Sequence, residues 1–252
     1  MIGYLSVRSF SNIAEWLGLT LPQSLAPNSE PGALTPVSVL SKRAATVREV
    51  RSAIIRGTLR PGEKITELGM SSLLKVSRAT VREALNQLAQ VGLVVQVPYT
   101  GLRIAHLDAQ ALRDIAKTRV ALDMLALTAV VEDTTGKRTR QVMAGWEELQ
   151  RHRDENSPVL QHEAHLSFHR CIWEASENYL LLKLWPVTEA QITVALAEDQ
   201  LARENQPRAF DVHEKLIQAI LTGDLDRIHQ ALVEQTIDSA EELIAILGEG
   251  EE

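Results

Sequence analysis

The sequence predicts a mainly α-helical chain in two domains, and three observations carry that reading. Apolar residues recur at helical spacing through most of the 252 residues. β-rich runs are confined to one short stretch near residue 100. Charge is partitioned: the chain has net charge −7, yet residues 41–106 hold eleven Lys and Arg against four Glu, net +7. Residues 107–252 hold fourteen basic and twenty-seven acidic side chains, net −13, and the first forty are close to neutral. A short basic block joined to a long acidic one suggests a small domain facing a polyanion, or two ordinary domains of different charge.

Composition narrows the class further. An apolar fraction of 45% suits a globular protein with a sizeable core. No uninterrupted apolar run approaches the roughly 18–20 residues of a membrane span, so no membrane is expected as a partner. The N-terminus lacks the basic flank, apolar block and cleavage site of a secretory signal. The single cysteine, Cys171, excludes an intramolecular disulfide and fits a reducing cytoplasm.

The elements follow in order. Residues 1–40 read as an N-terminal extension, with a short amphipathic helix around Ile13, Trp16 and Leu17 and then a linker through Pro22, Pro27, Pro31, Gly32 and Pro36. Val47, Val50 and Ile54 share one helix face, and Gly57 ends that helix. A turn at 58–62 leads to a short second helix around Leu68, Leu73 and Leu74. Ser77 is the N-cap of a third, with Val81, Leu85 and Leu88 inward and Gly92 closing it. The runs 93–97 and 102–105 flank Pro98, Tyr99, Thr100 and Gly101, a hairpin with a Gly-bearing loop. Three helices and a hairpin make residues 41–106 a winged helix-turn-helix.

Residues 107–248 read as helix throughout. A first helix carries Leu112, Ile115, Leu122 and Leu125, and Gly136 separates it from a second around 142–149. A third covers about 159–175, a fourth 180–201 with Pro186 inside, a fifth 208–221 and a sixth 224–247 behind Asp224. The expected fold is therefore a winged helix-turn-helix followed by an all-α bundle, with an acidic tail at 249–252.

The chemistry of the basic block follows from its helices. A helix-turn-helix places the N-terminal residues of its second helix in the major groove of DNA. Those residues are Ser77, Arg78, Thr80 and Arg82. Arg bridges guanine O6 and N7 bidentately, and short hydroxyls beside a helix N-terminus suit phosphate oxygens. Gly101 lets the wing tip approach DNA closely, and Arg103 has reach to phosphate or the minor groove. The plainer alternative makes Arg78 and Arg82 a solvated helix face with acidic partners nearby.

The segment 50–101 resembles the DNA-binding domain of GntR-family bacterial transcription regulators. The resemblance rests on Ile55-Arg56-Gly57-Thr58-Leu59-Arg60-Pro61-Gly62-Glu63, on Val76-Ser77-Arg78-Ala79-Thr80-Val81-Arg82-Glu83-Ala84-Leu85, and on Gly92-Leu93-Val94. It implies double-stranded operator DNA as partner, contacted through Arg78, Thr80, Arg82 and the wing-tip Gly101. One departure is Lys75, where the family has a turn glycine. A side chain in a left-handed turn costs about 1 kcal/mol, so either the turn differs or the Lys is aimed at phosphate.

The helical half is similar to the FadR-like branch, whose FCD-type effector domain binds small carboxylates, often beside a metal ion. The family pattern is an Asp, a His four residues on, a third ligand on a later helix and a final His. It falls here on His165 and His169 in His165-Leu166-Ser167-Phe168-His169, then on His213 and Gln235. Independently of the resemblance, residues i and i+4 share a helix face, so two imidazoles there can bind one ion. With His165 in place of the acidic ligand, the set His165, His169 and His213 would prefer Zn or Ni. Gln235 is a poor metal ligand but can hold a water or an effector oxygen. The alternative is a hydrogen-bonded histidine cluster that contacts the effector without metal.

Arg119 and Arg208 match basic positions of the family and supply guanidinium forks for a carboxylate. Trp146, Trp173 and Trp185 read as core, Asn178 as a helix boundary, Cys171 as buried, and His106 and His152 as linker and surface residues. The resemblance implies a cytoplasmic, homodimeric regulator, a repressor released from a palindromic operator by a small organic acid. A competing class is a metal-dependent enzyme built on His165, His169 and His213. His162-Glu163-Ala164-His165 lacks the HExxH spacing, since Leu166 stands where the second His is needed.

Overall fold

The computed structural model describes residues 42–202 and 211–249. The expected N-terminal helix and linker of 1–40, Arg208, and 250–252 of the acidic tail lie outside the described residues.

The first helix, α1 (Lys42–Ile55), buries Val50, Ile54 and Ile55. A two-residue strand β1 (Lys64–Ile65) precedes α2 (Glu67–Leu74) and α3 (Arg78–Val91). The amphipathic pattern of α3 puts Val81, Ala84, Leu85, Leu88 and Val91 inward. Ser77 caps it by accepting the Thr80 amide, a bond worth about 1 kcal/mol. Gly92 ends it at φ 87°, where its N–H reaches the carbonyls of Ala89 and Leu88. Then come β2 (Val94–Val97) and β3 (Gly101–Ile104).

The hairpin is not alone. β1 pairs antiparallel with β3, Lys64 opposite Arg103, so the wing is a three-stranded sheet in the order β1-β3-β2. Two residues between turns carry too little alternation to be read as a strand. Leu68 and Leu73, which suggest α2 in the sequence, are exposed; Met70 is the buried residue of that helix.

The remaining elements are helical: α4 (Ala109–Val131), α5 (Lys137–Arg151), α6 (Pro158–Ala175), α7 (Tyr179–Ala202), α8 (Asp211–Thr222), α9 (Leu225–Val233) and α10 (Ser239–Glu249). Asp108, Ser157 and Asp224 cap α4, α6 and α9 with their side chains. Asn178 Oδ1 accepts the amides of Leu180 and Leu181 at the start of α7, the boundary role read from the sequence. A single α-helix was expected from Asp224 onward. Instead a π-helical turn, Glu234–Asp238, separates α9 from α10.

Two clusters of buried side chains form the core. One fills the bundle, with Trp146 edge-on to Phe168 (centroids 5.9 Å apart) and Trp173 edge-on to Trp185 (5.2 Å). Helices α5 and α6 cross closely at Gly145, where a Cβ would lie 2.8 Å from Cys171 Sγ. Cys171 is only partly buried, and its Sγ donates to the Gln141 carbonyl. The other cluster is that of the winged domain, and it is not self-contained. Leu112 of α4, Ala190, Val194 and Ala197 of α7 and Leu243 of α10 pack into it. The winged domain and the bundle therefore share a core rather than hang on a linker. Helix α7 is long and apolar enough by composition to cross a membrane, and 44% of its most apolar window is buried inside this fold.

His106 bridges the same junction. Its Nδ1 lies 2.7 Å from Glu198 Oε1 on α7, so the expected linker histidine is an inter-domain contact.

Candidate functional site

The first candidate is the N-terminal half of α3. Arg78 and Arg82 are exposed there, Thr80 is partly buried, and Ser77 precedes them as the cap. The Ser77 and Thr80 hydroxyls lie 2.8 Å apart and hydrogen-bond to each other. Lys75, in the turn between α2 and α3, adopts φ 53° and ψ 39°. The turn thus keeps its left-handed shape without glycine, and the Lys75 side chain is exposed.

Arg82 is held by Glu67, the first residue of α2. Its Nε donates to Glu67 Oε1 at 2.8 Å and its Nη2 to Oε2 at 2.9 Å. The Arg82 guanidinium beside it holds the Glu67 carboxyl below its ordinary range, with Arg78 adding a smaller effect. The sequence reading did not single out Glu67, because its partner lies fifteen residues away.

At the wing, Gly101 has φ 96°, a conformation that favours glycine. Arg103 is partly buried, and its Nη1 donates to the Gly62 carbonyl at 2.8 Å, which ties β3 to the turn before β1. Tyr99, which the sequence reading passed over, sits at the wing tip fully exposed and left-handed at φ 63°.

The second candidate lies inside the bundle. His165 and His169 of α6 converge with His213 of α8 and Gln235 of the π-helical turn. His169 Nε2 is 3.0 Å from His165 Nε2, 3.3 Å from His213 Nε2 and 3.1 Å from Gln235 Nε2. The three imidazoles offer ligand atoms within 4.8 Å of one another. Burial pushes all three well down from the ordinary histidine range, His213 to about 3, so they stay neutral.

That geometry has a consequence for hydrogen bonding. A neutral imidazole nitrogen has one site, either a proton or a lone pair. His169 Nε2 has three nitrogen neighbours and cannot satisfy them with one site. A cation among the nitrogens would resolve this, since tetrahedral ligands at about 2.05 Å lie about 3.3 Å apart, close to the spacing of His169 from His165 and His213. The donor set therefore fits an open three-histidine site. The Nδ1 atoms of His169 and His213 and Oε1 of Gln235 are buried without hydrogen-bond partners among the described residues.

Arg119 of α4 adjoins this cluster, and its charge is one reason the imidazoles resist protonation. Its Nε is 3.3 Å from Asp123 Oδ2, and its Nη2 is buried with no hydrogen-bond partner among the described residues. Asp123 is 1% exposed and also accepts Trp173 Nε1–H at 2.6 Å. Burial pushes the Asp123 carboxyl up, against the pull of Arg119 and Trp173. Asp123 was missed, though an Asp four residues after Arg on an apolar face was a readable signal. His229 is exposed, away from the cluster, as its roughly 120° offset from Gln235 on a helix requires.

Two family models match separate parts of the chain. Residues 42–104 match the bacterial regulatory proteins of the gntR family, and residues 114–236 match the FCD domain. The gluconate operon transcriptional repressor of Bacillus subtilis is 25% identical over 222 residues, spanning 84% of this chain and 89% of its own. The HTH-type transcriptional repressor GlaR of Escherichia coli is 25% identical over 193 residues, 73% of this chain and 88% of its own. Among solved structures, McbR/YncC of E. coli superposes with a TM-score of 0.62 at 19% identity, covering 85% of this chain and all of that one.

Proposed function

The chain belongs to the GntR family of bacterial regulatory proteins and is a DNA-binding transcription regulator with an FCD domain, and from that premise we propose that it is a ligand-released repressor. The metal-dependent enzyme weighed from the sequence finds no support among relatives that are transcription regulators. Residues 41–106 serve as the DNA-binding domain and 107–248 as the effector and dimerisation domain, in a cytoplasmic homodimer on palindromic double-stranded DNA. Two copies of α3 then enter major grooves one turn, about 34 Å, apart.

The observation that carries the DNA reading is the exposed Arg78 and Arg82 beside the capped start of α3. Arg78 and Arg82 read bases; Ser77, Thr80 and Lys75 hold phosphates; Gly101 and Arg103 bring the wing to the backbone. Selection from a randomised duplex library supplies the binding sequence, and Arg78→Ala tests it. The variant loses discrimination at one base pair by roughly 5- to 150-fold. Unchanged affinity and sequence preference in Arg78→Ala would show that α3 is not the reader.

The effector reading rests on the convergent nitrogens beside Arg119. His165, His169 and His213 would hold a divalent ion, Zn or Ni, and it would supply Lewis-acid binding of a carboxylate. Arg119 Nη2, without a hydrogen-bond partner among the described residues, takes the effector's other oxygen. Gln235 turns an amide toward the same point and holds a water or effector oxygen; Arg208, by the family resemblance alone, is a further guanidinium for the effector carboxylate. Zn added to metal-free protein raises the melting temperature of the wild type, and His213→Ala abolishes the shift. Equal Zn content in His213→Ala and wild type would refute the ligand set.

A further inference from the structure

Glu67 is an acidic side chain in the middle of the basic block, beside the two arginines that face DNA. Its negative charge opposes attraction to phosphate, so electrostatic affinity does not explain it. Nor does stability: Arg82 is 60% exposed, and exposed ion pairs contribute little.

The geometry points to another role. A guanidinium has two edges that can bond bidentately: the side edge, Nε with Nη2, and the end edge, Nη1 with Nη2. Glu67 takes the side edge with both oxygens, at 2.8 and 2.9 Å. The end edge is left for a second bidentate acceptor, and guanine O6 with N7 is the one a major groove presents. Glu67 is itself well placed to hold the fork. It is the first residue of α2, behind the Thr66 cap whose hydroxyl accepts the Gly69 amide, and its side chain is 24% exposed. A long, rotamer-rich arginine is thus fixed before DNA arrives, which removes part of the ordering cost of binding.

We propose that Glu67 is a specificity-determining residue: it orients Arg82 end-on toward a guanine, so that α2 as well as α3 sets the operator sequence. This rests on the reading of Arg82 as a base contact.

The test uses the full-length chain as wild type, Glu67→Ala, Glu67→Gln, Arg82→Ala and Glu67→Ala/Arg82→Ala. Binding is measured at one salt concentration to the duplex selected by the wild type and to duplexes changed at each pair of a half-site. Arg82→Ala loses discrimination at one G·C pair. Glu67→Ala loses about fivefold or more at that same pair, keeps the others, and binds unrelated DNA more tightly because a negative charge is gone. The double variant discriminates no worse than Arg82→Ala. Glu67→Gln falls between, since an amide accepts only one of the two bonds. Uniform weakening across all pairs, additive losses in the double variant, or tighter specific binding by Glu67→Ala would each overturn the proposal. If Arg82→Ala leaves every pair unchanged, the base-contact reading of Arg82 fails first, and this inference with it. Melting temperatures of all variants within a few degrees of wild type show that the losses are not unfolding.

Discussion

Arg51 of α1 donates through Nη1 to Glu189 Oε1 of α7 at 2.6 Å, and this bond joins the winged domain to the helical bundle. The two side chains are 25% and 15% exposed, so the pair is shielded from solvent. On the bundle side, the Glu189 carbonyl accepts the Thr193 hydroxyl, and His162 Nε2 lies 3.2 Å from that same oxygen. His162 is one turn from His165 on α6. Polar contacts thus reach from His162 on α6 to α7, whose Glu189 carboxylate binds Arg51 of the DNA-binding domain.

Glu189→Gln leaves Arg51 without its counter-charge, while its Nε is already buried without a partner among the described residues. We expect a loss of about 2 kcal/mol in urea unfolding. The same variant should weaken the coupling between effector and DNA while leaving Zn affinity unchanged. Stability equal to wild type would show that the pair does not join the domains.

His162 supplies a pH signature. Burial pushes it down to about 3, with the Arg51 charge helping. Thr193 gives its hydroxyl proton to the Glu189 carbonyl, so His162 donates Nε2–H to Thr193, and burial disfavours a second proton on Nδ1. Unfolded, a histidine takes a proton near pH 6.5. Its neutral burial therefore costs nothing above that pH and destabilises progressively as pH falls toward 3. Between pH 7 and 5 the wild type should lose about 2 kcal/mol more stability than His162→Gln. Parallel pH profiles for the two proteins would contradict this.

Lys75 holds a left-handed conformation at φ 53° that glycine adopts without strain. Lys75→Gly should therefore stabilise the protein by about 1 kcal/mol in denaturant titration. It should also lower the slope of log affinity against log salt by about one unit per site, as loss of a phosphate contact requires. Destabilisation would mean that the side chain does more than reach for phosphate.

Local signals made much of the fold legible in advance. Ser77 and Gly92 bracket α3 because a cap and a left-handed glycine act within a few residues, and Asp224 marks α9 for the same reason. What was not legible depends on partners distant in sequence. β1 exists only because Lys64 and Ile65 find β3. The π-helical turn at Glu234–Asp238 interrupts a run whose apolar periodicity continues, so no local pattern marks it. The histidines came from i, i+4 spacing and resemblance, but the Arg119–Asp123–Trp173 chain beside them needed the fold. The shared core on α7 was hidden likewise, since Ala190, Val194 and Ala197 read as ordinary bundle residues.

The central claim is that a ligand in the histidine site controls DNA binding, and one titration tests it. A fluorescent duplex selected by the wild type is bound by wild type and by His169→Ala, and a panel of small carboxylates is added with Zn or with chelator. The account predicts that both proteins bind the duplex alike, and that at least one acid weakens wild-type binding tenfold or more only with Zn. His169→Ala should stay bound under every condition. Release of His169→Ala by the same acid at the same concentration would contradict it.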